Sequence, residues 1–138
     1  MKNKIIFLTL IALLIVGCES PLEPDHTIDI YSELSIDSNG YYHFDYPDGY
    51  AHTYSYVKYN IYPSDLVRVF WDSPDYFEVE YQGQIFYDKI INYSTYSDDD
   101  GTGKQMYYIY EDFIGDTLTI YGYVANDVYD VMYVIINN

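Results

Sequence analysis

Four groups of side chains in this sequence have the types and spacing that chemistry requires. The stretch SDDDGTGK, residues 97–104, brings Asp98, Asp99 and Asp100 together, the clustered carboxylate oxygens that calcium takes. His43, Asp45 and His52 offer two imidazoles and a carboxylate of the kind that bind transition metals. Glu78 and Glu80 are two residues apart in an alternating stretch and share a strand face, a carboxylate pair in form. Cys18 is the chain's only thiol.

Spacing weakens the first three. An EF-hand loop wants acids at positions 1, 3 and 5, glycine at 6 and glutamate at 12. With Gly101 at position 6, Tyr96 and Tyr107 fall at 1 and 12; with Gly103 there, Ile109 falls at 12. The better reading of 97–103 is a solvated hairpin loop, with an irregular calcium site as the alternative. A metal centre needs three or four converging ligands, and His52 lies across a predicted turn from His43. With 22 acids in the chain, a pair such as Glu78 and Glu80 arises by chance, and nothing marks it as the opposed carboxylates of a glycosidase. The chain has no G-x-S-x-G elbow, H-E-x-x-H helix or phosphate-binding loop. These readings predict no catalytic residues, no enzyme and no cofactor.

Cys18 is different because of what precedes it. Lys2 and Lys4 lead into the uncharged run Ile5–Val16. That run is short of the roughly 20 apolar residues that span a bilayer and has the form of a secretory signal. Its end, Ile15-Val16-Gly17-Cys18, resembles the lipobox of bacterial lipoproteins position by position. The resemblance covers residues 1–18. It implies cleavage before Cys18, a diacylglycerol on the Cys18 sulfur and an anchor of two or three acyl chains, each buried methylene contributing about 0.8 kcal/mol. Glu19 rather than Asp follows the cysteine, which within that family favours the outer membrane where the cell has one. The expected divisions are a signal peptide at 1–17, the lipidated cysteine and a tether at 18–27, and one domain at 28–138.

Charge excludes one class of partner. The chain carries a net charge of −16, and loss of Lys2 and Lys4 with the signal makes it about −18. Only Lys58, Arg68, Lys89 and Lys104 remain as bases. Nucleic-acid binding depends on basic groups displacing counterions from phosphates, so neither DNA nor RNA is an expected partner. Membrane, envelope protein and glycan remain.

The elements that position these groups read as strands. The 21 tyrosines favour strands and half-buried faces. Period-two alternation predicts strands over 28–37, 41–46, 52–62, 66–72, 76–81, 85–93, 105–110, 117–125 and 128–136, with turn residues roughly every 8–12 positions and no helix after the signal. In the first of these, Ile28, Ile30, Leu34 and Ile36 share a face. The expected fold is an all-β antiparallel sandwich of eight to nine strands. Residues 52–138, with VRVFWDSPDYFEVEY, loosely resemble an immunoglobulin-like or fibronectin type III module. Trp71 aligns with Val67 and Val69 and is expected in the core, while Tyr121 and Tyr123 point outward. The expected role is non-catalytic binding or structural association at the cell envelope through a tyrosine-rich, acidic sheet. The alternatives are carbohydrate binding, with Tyr121 and Tyr123 as stacking groups, and a calcium-stabilised surface module.

Overall fold

The computed structural model describes residues 25–124 and 128–138. Cys18, the lipobox-like stretch that ends in it and the predicted break at 126–127 lie outside the described residues. Alternation of apolar and polar residues produces what it predicts, an all-β sandwich. Its strands are β1 Thr27–Tyr31, β2 Ser35–Ile36, β3 Tyr42–Asp45, β4 His52–Tyr62, β5 Arg68–Asp72, β6 Tyr76–Tyr81, β7 Gln84–Lys89, β8 Ser94–Tyr96, β9 Thr102–Tyr110, β10 Thr117–Val124 and β11 Val128–Asn137. Sheet I has the order β1-β4-β9 and sheet II the order β2-β3-β11-β10-β5-β8. β6 and β7 form a separate two-stranded hairpin.

The inner faces of the two sheets make one core. Ile28, Ile30, Val57, Tyr59, Ile61, Tyr107 and Ile109 of sheet I are buried, as are Val69, Trp71, Leu118, Ile120, Met132, Val134 and Ile136 of sheet II. Trp71 is 1% exposed, so it is core as expected and no surface platform. Directly opposite it on β10 is Gly122. A Cβ there would sit 2.8 Å from Trp71 Cζ3. In sheet I, Tyr59 lies opposite Gly103 of β9 and covers it so closely that a Cβ would meet the phenol oxygen at 2.3 Å. The two rings face each other across the sandwich at 5.4 Å. The Trp71 indole donates to Thr95 Oγ1 at 2.9 Å, and the Tyr59 hydroxyl donates to the Tyr96 carbonyl at 3.1 Å. Both polar tips are thereby paired inside, as buried tips must be.

Several expectations are corrected. The strand predicted over 28–37 is two strands in two sheets. β1 pairs with β4, and the chain crosses at Ser32–Leu34 so that β2 pairs with β3. Ile28 and Ile30 therefore face the core while Ile36 is 58% exposed. The crossing is stabilised where the β1 backbone meets the opposite sheet: Asp130 Oδ2 of β11 accepts the Ile30 N–H at 2.8 Å. The strand predicted over 85–93 ends at Lys89. Ile90 and Ile91 then turn into the core, and the chain forms β8 on the edge of sheet II. These breaks and β8 raise the expected eight or nine strands to eleven. The sandwich is not wholly antiparallel, because β3 runs parallel to β11. A single 3₁₀ turn, Glu111–Phe113, follows β9.

The Gly122–Trp71 approach predicts that Gly122→Ala destabilises the domain by overpacking, by about 1–3 kcal/mol. Thermal melts followed by near-ultraviolet dichroism check it, with Ser38→Ala at an exposed turn position as the comparison.

Candidate binding surface

Because each strand alternates, burying one face of sheet II sends Tyr121, Tyr123, Tyr129 and Tyr133 to the other. β10 places Tyr121 and Tyr123 on the outer face, both half-buried. In register with them stand Asp72 and Phe70 of β5 on one side and Val131 and Tyr129 of β11 on the other. The rings form separate edge-to-face pairs. Tyr121 meets Tyr129 at 6.3 Å, Tyr41 meets Tyr133 at 5.5 Å, and Phe70 meets Tyr93 at 5.8 Å. At the β5–β8 end, the Arg68 guanidinium lies 5.0 Å over Phe70 and 5.9 Å from the Tyr96 ring centre, held by donation from Nε and Nη2 to Ser94 Oγ.

Charge enters this face through Asp72 and Lys89, which form an ion pair. Burial raises the Asp72 carboxyl, but the Lys89 ammonium and the Ser73 amide together outweigh it and hold the group below its ordinary value. The Lys89 ammonium is correspondingly raised by its bond to Asp72. Burial, then the Asp72 carboxylate, raise the Tyr123 hydroxyl. The face thus combines flat apolar rings, phenol hydroxyls, the Arg68 guanidinium and the Asp72–Lys89 ion pair.

The outer face of sheet I is also aromatic. Tyr54 and Tyr56 meet edge to face at 5.8 Å, His52 stacks on Tyr110 at 5.7 Å, and the Lys104 ammonium lies 4.8 Å over Tyr56. Where β1 leaves β4, a shallow groove of about 190 Å³ is lined by Ser32, Glu33, Leu34, Ser55, Tyr56 and Lys58. Lys58 pairs with Glu33 across it.

The other sequence candidates fall in separate places. His43 faces Asp37 at 3.2 Å and Asn137 at 3.5 Å, while Asp45 accepts from Asn137 Nδ2 at 3.0 Å. His43 is in sheet II and His52 in sheet I, so the two imidazoles do not converge. Glu78 and Glu80 share one exposed face of the β6–β7 hairpin. Asp98, Asp99 and Asp100 are exposed in the loop before β9. Asp100 Oδ1 accepts from both Thr102 N at 3.0 Å and Thr102 Oγ1 at 2.7 Å, contacts that hold its carboxyl below the ordinary 3.8. Among the described residues, no group of three or more His, Cys, Asp or Glu side chains is placed to hold a metal ion.

Sequence reasoning passed over Tyr129 and Tyr133, although their period-two spacing in VYDVMYVII carried the signal. Arg68 over Phe70 follows equally from spacing. The Asp72–Lys89 pair had no sequence signal, since 17 residues separate partners that only the hairpin brings together.

No family model and no curated protein matches the chain. Among solved structures, the ASH / PapD-like domain of human CEP192 (PapD-like domain 7) superimposes with a TM-score of 0.46 at 9% identity, covering 87% of this chain and 90% of that one.

The Asp100 contacts predict a turn held by the loop's own groups. Because the folded carboxyl is depressed, its stabilisation is present above pH 3.8 and is lost as pH falls through the folded value. Asp100→Ala is expected to lower the melting temperature at neutral pH, equally in calcium and in chelator, with the difference shrinking in acid. Differential scanning calorimetry across that range checks it.

Proposed function

We propose that this protein is a lipid-anchored component of the bacterial cell envelope that acts by binding, without catalysis, through the outer face of sheet II. One observation supports this reading above others. Tyr41, Tyr133, Tyr121, Tyr129, Tyr123, Phe70 and Tyr93 share one face of one sheet, with Arg68 and the Asp72–Lys89 pair among them. Tyrosine provides large contact area with only two side-chain torsions to restrain, together with a hydroxyl that remains useful when half-buried. A surface of this kind on a rigid sandwich suits an envelope protein as partner.

The anchor in this reading is Cys18. The residues from Cys18 to the start of β1 at Thr27 would form the tether, which at about 3.3–3.6 Å per residue reaches a few nanometres at most. The domain would then act close to the membrane. Intact mass and detergent partitioning of the expressed chain, beside Cys18→Ser, test the anchorage. The wild type is expected to lose residues 1–17, gain acyl mass and enter the detergent phase, and the variant to do none of these. A soluble, unmodified wild type would remove the anchor from the proposal.

A second reading is carbohydrate recognition at Tyr121 and Tyr123. What favours it is Asp72, which stands opposite Tyr121 in the register, an acceptor for sugar hydroxyls beside an aromatic ring. The tilt of neighbouring rings, 61° between Tyr121 and Tyr129, allows a single stacking ring rather than a flat platform. Glycan arrays with the wild type and with Tyr121→Ala and Tyr123→Ala decide it. Glycan binding lost in both variants supports this reading, and an array without signal for the wild type removes it.

A further inference from the structure

The β6–β7 hairpin is the part of the fold that the core does not explain. Its strands pair only with each other. The reversal is a two-residue turn with Gln82 and Gly83 both at positive φ, the geometry that suits hairpin twist. Along its 14 residues it exposes six large apolar side chains. Tyr81 is 63%, Ile85 57%, Phe86 48% and Tyr87 71% open to solvent, with Tyr76 and Val79 also exposed. Both faces are apolar in part: Val79 lies opposite Phe86, while Ile85 and Tyr87 lie opposite Glu80 and Glu78. An isolated two-stranded hairpin is marginal in water, and unpaired strand edges are templates for another chain.

The base of this arm is nevertheless fixed. Ser73 Oγ donates to the Thr119 carbonyl at 2.6 Å, and Asp75 Oδ2 accepts the Thr119 N–H at 2.8 Å, so the turn before β6 holds both backbone groups of one β10 residue. Phe77 stacks on Tyr110 at 4.2 Å. Lys89 closes the other strand onto Asp72. A rigid base under an apolar, solvent-exposed tip is the form of a docking element.

We infer that the β6–β7 hairpin is a docking arm for a protein surface that offers an apolar strand edge or cleft flanked by lysine or arginine. Charge complementarity selects this occupant. The arm's acids Glu78, Glu80 and Asp88 alternate with its apolar groups, and its one base, Lys89, is engaged by Asp72. A second copy fits poorly. Each chain carries a net charge of −16, so like charge opposes the approach of a second copy. An anionic lipid surface meets the same repulsion. Lys89 joins the base of the arm to the outer face of sheet II, but the exposed tip and its docking do not depend on the role proposed for that face.

The probe is a soluble strand peptide alternating lysine with valine and threonine, beside a twin with glutamate for lysine. Binding is read by fluorescence titration and mapped by amide hydrogen exchange. The expected result is binding of the cationic peptide alone, protection at residues 76–89, and weakening as ionic strength rises. Ile85→Thr with Phe86→Thr should reduce affinity by about tenfold or more, while Leu66→Ala, at an exposed apolar residue before β5, leaves it unchanged. Glu78→Lys with Glu80→Lys, which leaves the apolar groups intact, should transfer preference to the acidic twin. Equal binding of both peptides, protection on the sheet faces instead of the arm, or no binding would each overturn the inference. Arm-dependent dimers in sedimentation without peptide uptake would replace it with self-association.

Discussion

The sandwich is organised around two glycine–aromatic pairs that face one another. Trp71 lies across from Gly122 in sheet II, and Tyr59 lies across from Gly103 in sheet I. In each pair the ring occupies the volume that a Cβ would need. This lets the two rings cover their own sheets' glycines and meet across the core at 5.4 Å, their planes tilted by 58°. Native interiors are packed as densely as organic crystals, so the spacing of the sheets, and with it every other core contact, depends on these rings fitting. Thr95 contributes to both pairs. It accepts from the Trp71 indole and lies 3.4 Å from the Tyr59 hydroxyl, which ties β8 to the centre of the core.

With the inner faces filled by isoleucine, valine and these two rings, most of the chain's tyrosines are sent outward. A strand cannot bury both faces in a two-layer fold. The result is a protein with an apolar centre, aromatic outer faces and a surrounding acidic surface. Acidity keeps such faces soluble, because net charge opposes self-association. It also shapes recognition, since like-charged surfaces are rejected before contact. Tyr107 is fully buried, and that burial pushes its hydroxyl up to about 12, whereas the outer phenols remain available for contact.

The limits of sequence reading show in particular strands. The 52–62 stretch was legible to the residue because its alternation is uninterrupted and Pro63 follows it. The 28–37 stretch alternates equally well, yet the chain changes sheets in its middle. Alternation reports which side chains share a face of a strand, and says nothing of which sheet that strand joins. The carboxylate that supports the crossing, Asp130, is a hundred residues away. Similarly, 85–93 reads as one apolar run, but its first half is an exposed arm and Ile90 and Ile91 are core. Hydrophobicity alone does not distinguish an apolar residue that fills a core from one held out in solvent.

For the site, Tyr121 and Tyr123 were legible as an outward pair because period two is a local property of the backbone. Their neighbours Phe70, Tyr129 and Asp72 were not assigned to the same surface, because strand order and register are set by which inner faces pack together. By itself, then, the sequence determined the fold class, the burial of Trp71 and the outward tyrosines, all of which follow from composition and alternation along the chain. Only the tertiary structure decided the division into sheets, the parallel β3–β11 pair, the Asp72–Lys89 contact and the projecting hairpin. Those depend on contacts between residues far apart in the chain, whose energies exist only once the core has closed.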